Sequence, residues 1–148
     1  MSPEQLAAIQ EEASLAGLAH VYPPELYPFP RAAVEERWRT STAQIIAESD
    51  LGFAAIDPPW FDALYVRPAV WGTDVAGRLH ERAVAALRAA GVRHARLWVL
   101  EENHRARRFY ERRGWVLDGS TREVPFPPHP IDVGYSLDLV TLPRADGA

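Results

Sequence analysis

The residues most suited to chemistry lie between Leu64 and Leu79, where small residues separate an apolar run from a regular helical pattern. The first amides of a helix have no intrahelical partner, and with the helix dipole they form a site for an anion such as phosphate. Gly72, Ala76 and Gly77 would let a bulky anion approach the backbone. The segment therefore predicts either an anion cradle or a plain strand–turn–helix connection whose small residues serve packing.

The same segment can be compared with a nucleotide phosphate loop. Gly72 and Gly77 have the G-x-x-x-x-G spacing, but Arg78 and Leu79 follow where such loops place lysine and a hydroxyl residue. The chain contains no lysine, because all sixteen basic residues are arginine. A nucleotide loop is therefore excluded, and Schiff-base chemistry is excluded with it.

A second informative segment runs from residue 102 to residue 115. It places Asn103 three residues before Ala106, a Phe-Tyr pair three residues later, and then Gly114 followed by tryptophan. This pattern resembles the second signature of the GNAT (general control N-acetyltransferase) superfamily. The earlier run Leu-Tyr-Val-x-Pro-x-x-Trp-Gly, which begins at Leu64, resembles the acetyl-CoA signature of that superfamily. The match covers residues 44–117, and two signatures in the right order are more specific than either alone.

The resemblance implies an α/β fold with a twisted, splayed mixed sheet flanked by helices. The first edge strand of the family is expected to be missing, because this chain begins at a helix cap. Acetyl-CoA would lie in the gap between the strand that ends near Val66 and the strand that ends near Leu100. The implied cofactor contacts are Tyr65, Val66, Gly72, Thr73, Asp74, Val75, Ala76, Gly77, Asn103, Ala106 and Tyr110.

Tyr110 is the general acid that the resemblance implies. Acetyl transfer from a thioester to an amine needs a donor for the oxyanion and a proton for the leaving thiolate. Tyrosine titrates near about 10 and thiols near about 8.5, so a tyrosine hydroxyl can protonate a thiolate. Because the chain has no cysteine to carry an acyl group, direct attack in a ternary complex is expected. The alternative is that Tyr110 only packs against Phe109.

Two positions depart from the family pattern. The acetyl-CoA signature usually reads Gln/Arg-x-x-Gly-x-Gly/Ala. Trp71 stands at its first position, and Asp74 replaces its first glycine. Aspartate tolerates left-handed backbone and caps helices, so the turn can survive, but a carboxylate beside a pyrophosphate is repelled unless it points away. The second functional hypothesis is therefore a catalytically weak or inactive module that binds CoA or a protein partner.

A candidate base and a candidate acceptor site complete the set of site residues. Asp62, on the strand that leads to the cofactor site, is the candidate base, and a surface role is its alternative. The acceptor site, which would take a small-molecule amine or a peptide N-terminus, is implied to lie on two proline-rich loops. Its candidate residues are Tyr22, Glu25, Tyr27, Phe29, Phe126 and His129. These aromatic residues could instead fasten the loops to the core.

The elements that must position these residues follow from hydrophobic spacing and helix caps. Helices are predicted over residues 2–17, after residue 30, over 75–90 and over 103–114. Strands are predicted over residues 44–47, 51–56, 61–66, 96–100, 115–117 and 133–139. A strand–helix–strand unit in an otherwise antiparallel order predicts a mixed sheet. We expect one domain over residues 1–141 and a loose tail over 142–148.

Length and composition limit the other functions. The chain has 148 residues, a formal net charge of −4 and no cysteine. This argues against a disulfide scaffold, a thiolate zinc site and a broad nucleic-acid face. The histidines have no metal-ligand spacing, and the arginines of residues 105–113 are expected to form a solvated face or to meet the 3′-phosphate of the cofactor. No membrane span or signal peptide is expected, so the expected location is the cytoplasm of a bacterium. A homodimer is possible.

Overall fold

The computed structural model describes residues 1–139, so the tail predicted over 142–148 lies outside the described residues, as do the last two residues of the predicted domain. The helices are α1 (Pro3–Gly17), α2 (Arg31–Thr40), α3 (Val75–Ala89) and α4 (His104–Glu111), with a short 3₁₀ turn at Pro68–Val70. The strands are β1 (Gln44–Glu48), β2 (Gly52–Asp57), β3 (Trp60–Val66), β4 (His94–Leu100), β5 (Val116–Glu123) and β6 (Ile131–Asp138).

The six strands form one mixed sheet in the order β1-β2-β3-β4-β6-β5. The neighbouring pairs are antiparallel, except that β3 and β4 run parallel. The predicted α/β class with a mixed sheet is therefore confirmed. Within residues 1–139 no strand precedes α1, and β1 forms the sheet edge on that side.

The two parallel strands separate soon after they meet. β3 and β4 pair only at Trp60 opposite Arg96, where the Arg96 amide donates to the Pro59 carbonyl at 3.0 Å. Ala55 and Ile56 of β2 pair with Ala63 and Phe61, so Asp62 is an extra residue that forms a bulge in β3. Beyond this point the carboxyl-terminal halves of β3 and β4 separate, and the space between them is the splayed gap that the sequence resemblance implied.

Helices cover both faces of the sheet at the gap. The Ser2 side chain accepts from the Gln5 amide, and the Gln5 side chain accepts from the Ser2 amide, so the predicted capping box begins α1. Leu6 and Ile9 of α1 and Trp38 of α2 pack on one face, against Phe53 of β2. The apolar stripe of α3 packs with α4 on the opposite face.

The last hairpin is longer than the sequence predicted. We expected a strand over residues 115–117, but β5 continues to Glu123 because it pairs with β6 as far as Glu123 opposite Ile131. Most of its residues are exposed, so the strand has no alternation of apolar and polar residues to reveal it. An edge strand with polar residues on both faces is recognised only by its partner.

The α3 stripe gives the first prediction. Leu79 is fully buried between α3 and the sheet, so Leu79→Ala should lower the free energy of unfolding by about 2–5 kcal/mol. Leu15→Ala on α1 is the matched control, because Leu15 is an exposed leucine whose truncation should cost less than about 0.5 kcal/mol. Urea denaturation of the three proteins measures both values. Equal losses would show that α3 does not hold the central core.

Candidate active site

The amino end of α3 presents free amides beside the gap. The Arg78 amide makes the first intrahelical bond, to the Asp74 carbonyl at 2.9 Å. The amides of Ala76 and Gly77 come before it and have no intrahelical partner. Gly72 turns the chain with a φ of 82°, a backbone angle that residues other than glycine rarely adopt. The loop and helix thus have the backbone arrangement of an anion site.

Asp74 does not take the two roles that the sequence suggested for it. Its backbone is right-handed and its side chain makes no capping bond. The left-handed position belongs to Gly72, and the Thr73 hydroxyl accepts from the Val75 amide at 3.4 Å. The Asp74 carboxylate is 94% exposed and lies 4.0 Å from the Arg78 guanidinium. It therefore points into solvent, and the expected repulsion of a pyrophosphate is relieved.

Trp71 forms one side of the entrance to the gap. Its indole N–H donates to the Val66 carbonyl at 2.8 Å. The guanidinium of Arg105, on α4, lies 3.7 Å from the indole centroid, so a cation–π contact connects the loop before α3 with α4. This contact is made at the position where the acetyl-CoA signature of the family has glutamine or arginine.

A single cleft follows the gap between these elements. It brings together eight of the eleven cofactor contacts that the resemblance implied: Tyr65, Val66, Gly72, Thr73, Ala76, Asn103, Ala106 and Tyr110. Val75 is buried in the core, and the Asp74 side chain faces solvent. Gly77 faces the end of α4, since a Cβ there would lie 3.3 Å from the Arg113 guanidinium. The absence of a side chain at Gly77 leaves room for the Arg113 guanidinium, whereas the Gly77 amide is one of the free amides at the amino end of α3.

Asn103 caps a helix at the wall of the cleft. Its side-chain oxygen accepts from the Ala106 amide at 3.2 Å, so it caps α4. Asn103 also lines the cleft, together with Ala106. The wall opposite Val66 is thereby fixed by a helix cap.

Tyr110 lies at the closed end of the cleft and is only 8% exposed. Its ring makes edge contacts with Phe61, Phe109 and Trp115, at centroid distances of 5.4 to 6.0 Å. Burial raises the pKa of its hydroxyl above the ordinary value of 10.0. The hydroxyl is therefore protonated at neutral pH, so a residue that lines the cleft carries a proton that it can donate.

Sequence reasoning missed a buried histidine behind Tyr110. His80 of α3 accepts at Nε2 from the Trp115 indole N–H at 3.0 Å, so Nδ1 carries the proton. Its ring also packs against Phe109 at 5.8 Å and Tyr110 at 6.5 Å. His80 thereby fixes the tryptophan on which the tyrosine ring rests. Its helical spacing placed it beside the buried stripe, but nothing in the sequence identified the tryptophan as its partner.

His80 should make folding sensitive to acid. Burial lowers its pKa below 6.5, against the opposing effect of the Glu81 carboxylate. The unfolded chain then binds a proton at His80 at a pH where the folded chain does not. Stability is thus fully present above about pH 6.5 and falls below it, by up to about 1.4 kcal/mol per pH unit.

His80→Gln tests this dependence, because glutamine can still accept from Trp115 but does not titrate. Its free energy of unfolding should fall less than that of the wild type between about pH 7.5 and about pH 5. Urea denaturation at several pH values measures the difference. Parallel curves for the two proteins would show that another group causes the acid loss.

Asp62, the candidate base, lies at the edge of the site. Its carboxylate is 3.4 Å from the Arg37 guanidinium, and its side chain is 36% exposed. It follows Phe61 at the register shift in β3. The structure thus keeps Asp62 on the face of α1 and α2, where it is already paired, and its role as a base stays a prediction.

The candidate acceptor residues lie outside the lining of the cleft. Glu25 and Phe126 are exposed, whereas Tyr27 and Phe29 are half-buried. His129 contacts the Val124 carbonyl at 3.0 Å through Nδ1. Their role as acceptor residues stays a prediction.

Tyr22 is the acceptor candidate with an electrostatic link to the site. Burial raises its pKa, and the negative charges of Asp132 and of an ionised Tyr65 raise it further. Tyr65 lines the cleft, and Asp132 is a buried carboxylate on β6. Sequence reasoning missed Asp132, because its strand partner Arg122 belongs to a strand that the sequence did not reveal.

Two kinds of site are not found in the described part of the chain. Among residues 1–139 no three histidine, cysteine, aspartate or glutamate side chains gather where they could hold a metal ion. None of the helices of residues 1–139 is long and apolar enough to cross a membrane.

Comparison with known proteins identifies the family to which this architecture belongs. A profile of the acetyltransferase (GNAT) family matches residues 11–115. The chain has the fold of a GCN5-related N-acetyltransferase from Rhodopseudomonas palustris, with a TM-score of 0.74, 22% identity, and 93% of this chain and 89% of that chain covered. No curated protein matches the sequence.

Two further solved structures share the fold. PaiA N-acetyltransferase from Thermoplasma acidophilum, in complex with coenzyme A, has a TM-score of 0.61, 17% identity, and coverage of 90% of this chain and 94% of that chain. The ribosomal-protein-S18-alanine N-acetyltransferase from Escherichia coli has a TM-score of 0.62, 16% identity, and coverage of 95% of this chain and 91% of that chain.

At these identities the solved structures establish the fold, and the profile establishes the family. The profile match runs from within α1 past the end of α4 and therefore includes both walls of the cleft. It confirms the resemblance that the two sequence signatures carried. The chain is an acetyltransferase of the GNAT family.

Proposed function

We propose that the protein transfers the acetyl group of acetyl-CoA directly to a primary amine, in a ternary complex. The observation that carries this proposal is that Ala76, whose amide is free at the start of α3, and the buried Tyr110 line one cleft. The crystallised complex of PaiA N-acetyltransferase with coenzyme A, which has the same fold, supports the choice of cofactor. Acetyl-CoA would supply an activated thioester.

The residues of the cleft would share the work as follows. The amides of Ala76 and Gly77 hold the pyrophosphate, and Asn103 and Ala106 form the facing wall. The acceptor nitrogen forms the new C–N bond while the C–S bond breaks, and the sulfur takes the proton of the Tyr110 hydroxyl. Before this step the ammonium group of the acceptor gives one proton to solvent or to Asp62, and after it the nitrogen gives up a second proton. With that proton returned to Tyr110, atoms and charges balance.

Two measurements test the proposal in sequence. Calorimetry with acetyl-CoA should show a single site, and a thiol-release assay with pooled primary amines should show turnover above the rate of hydrolysis. Failure to bind acetyl-CoA would reject the cleft as a coenzyme site. Binding without release of thiol to any amine would support the second candidate function.

That second candidate is a module that binds CoA without turnover. One observation favours it. The Trp71 indole N–H already donates a hydrogen bond to the Val66 carbonyl, a backbone group that the family resemblance assigns to the pantetheine arm. If Trp71 blocks productive seating of the cofactor, Trp71→Gln should restore turnover. If the protein is an enzyme as it stands, the same variant should not raise kcat.

A further inference from the structure

The sheet has a second polar surface, on the side of α1 and α2. Those helices pack on β1 to β3, whereas Ala95, Leu97 and Val99 of β4 point into the opposite core. Because side chains alternate along a strand, Arg96 and Trp98 of β4 face the same side as α1 and α2. Asp132 of β6 is the register partner of Leu100, so it joins this side at the carboxyl end of β4. This end of β4 is where the gap opens.

Asp132 is a buried acid with an exposed basic partner. Its side chain is 10% exposed and lies 3.0 Å from the Arg122 guanidinium, which is 54% exposed. The same guanidinium lies 4.5 Å from the centroid of the Trp98 ring. A carboxylate, a guanidinium and an indole therefore form one continuous surface beside the gap.

The Asp132 carboxylate is electrostatically linked to the cofactor cleft. Burial is the largest cause of the raised pKa values of Tyr22 and Tyr65, and the charge of Asp132 raises both further. Tyr65 lines the cleft on one side of β3, and Tyr22 belongs to the loop between α1 and α2. That loop is held across the gap, because the His20 ring contacts the Glu102 carbonyl at 2.8 Å. Asp132 thus lies at the carboxyl end of β4, on the side of the gap that carries α1 and α2 and opposite α3.

We propose that the acceptor is an amine that also carries a carboxylate, as a free α-amino acid does, with its ammonium group bound by Asp132 and its carboxylate by Arg122. The inference rests on the proposed function. An amine alone would take Asp132 from Arg122 and leave the guanidinium without its partner. A zwitterion compensates both members of the pair, and the guanidinium can bind the carboxylate through two parallel hydrogen bonds.

The test compares acceptors that differ only in the carboxylate. The probes are the twenty common L-amino acids and their methyl esters, assayed by thiol release with acetyl-CoA. For the preferred side chain, kcat/KM for the acid should exceed that for the ester roughly tenfold or more, as expected for a lost charge-assisted hydrogen bond. Equal values for every acid and ester pair, with turnover present, would overturn the inference and leave the proposed function intact.

Two arginine variants give the matched comparison. Arg122→Gln should lower kcat/KM for the acid roughly tenfold more than for the ester, mostly through KM. Arg96→Gln is the control on the same face, because Arg96 lies over Trp60 and pairs with Asp118 at 3.7 Å, away from Asp132. It should leave the preference for the acid unchanged. Loss of the preference in both variants would contradict the assignment to Arg122.

A binding measurement keeps the inference testable without turnover. Calorimetry would titrate the same acids and esters into the protein saturated with CoA. Tighter binding of an acid than of its ester, lost in Arg122→Gln, would support the inference even if no acetylation occurs. Binding of esters at least as tight as binding of acids would overturn it.

Discussion

Tyr110→Phe should lower kcat by roughly 100-fold or more while the Kd for acetyl-CoA stays within about twofold of the wild type. The variant removes the hydroxyl at the closed end of the cleft but keeps the ring that packs against Phe61, Phe109 and Trp115. The proton for the departing sulfur would then have to come from water. Steady-state kinetics gives kcat, and calorimetry gives the Kd.

The chain offers a matched tyrosine as control. The Tyr135 hydroxyl donates to Glu111 at 2.6 Å and accepts from Arg107 at 2.8 Å, outside the residues that line the cleft. Tyr135→Phe should therefore lower stability and leave kcat nearly unchanged. If the two variants lose activity equally, the loss in Tyr110→Phe reflects packing and not proton transfer.

The pH dependence of kcat tests the protonation state of Tyr110. Because burial raises the pKa of Tyr110 above 10.0, its hydroxyl stays protonated through the alkaline range of an ordinary assay. The wild-type kcat should therefore not fall between about pH 8 and about pH 9.5 through ionisation of this group. An alkaline fall in kcat that disappears in Tyr110→Phe would show that Tyr110 titrates within that range.

The backbone of the site could be predicted from sequence because its elements carry local signals. Asn103 is an N-cap whichever ligand is bound, and the stripe of α3 reads as a helix from Val75 onward. Both features depend on residues close together in the chain. The splayed gap depended instead on the family resemblance, since no spacing in β3 or β4 shows where parallel strands separate.

The acceptor side could not be predicted because it is built from distant residues. Asp132 and Arg122 meet only when β5 pairs with β6, and β5 has no apolar alternation to reveal it. Tyr22 comes to the same side from a loop more than a hundred residues away in sequence. The prediction therefore took aromatic residues from proline-rich loops, such as Phe126, which the structure leaves exposed.

Ala76→Glu should weaken acetyl-CoA binding by roughly 100-fold or more. The residue lines the cleft in the first turn of α3, so a carboxylate there would lie near the bound pyrophosphate. At a separation of about 4 Å near a protein surface, two like charges repel by about 4 kcal/mol, and each 1.4 kcal/mol is about a tenfold change in Kd. Calorimetry with acetyl-CoA measures the change.

Three neighbouring substitutions separate charge from shape and from stability. Ala76→Gln adds nearly the same volume without charge and should weaken binding much less than Ala76→Glu. Asp74→Ala removes a carboxylate that already points into solvent, so the Kd should change by less than about threefold. A glutamate in the first turn of a helix favours the helix dipole, and the melting temperature of Ala76→Glu should therefore stay close to that of the wild type. If Ala76→Glu bound acetyl-CoA normally, the anion would not be held at the start of α3, and the cleft would need another ligand.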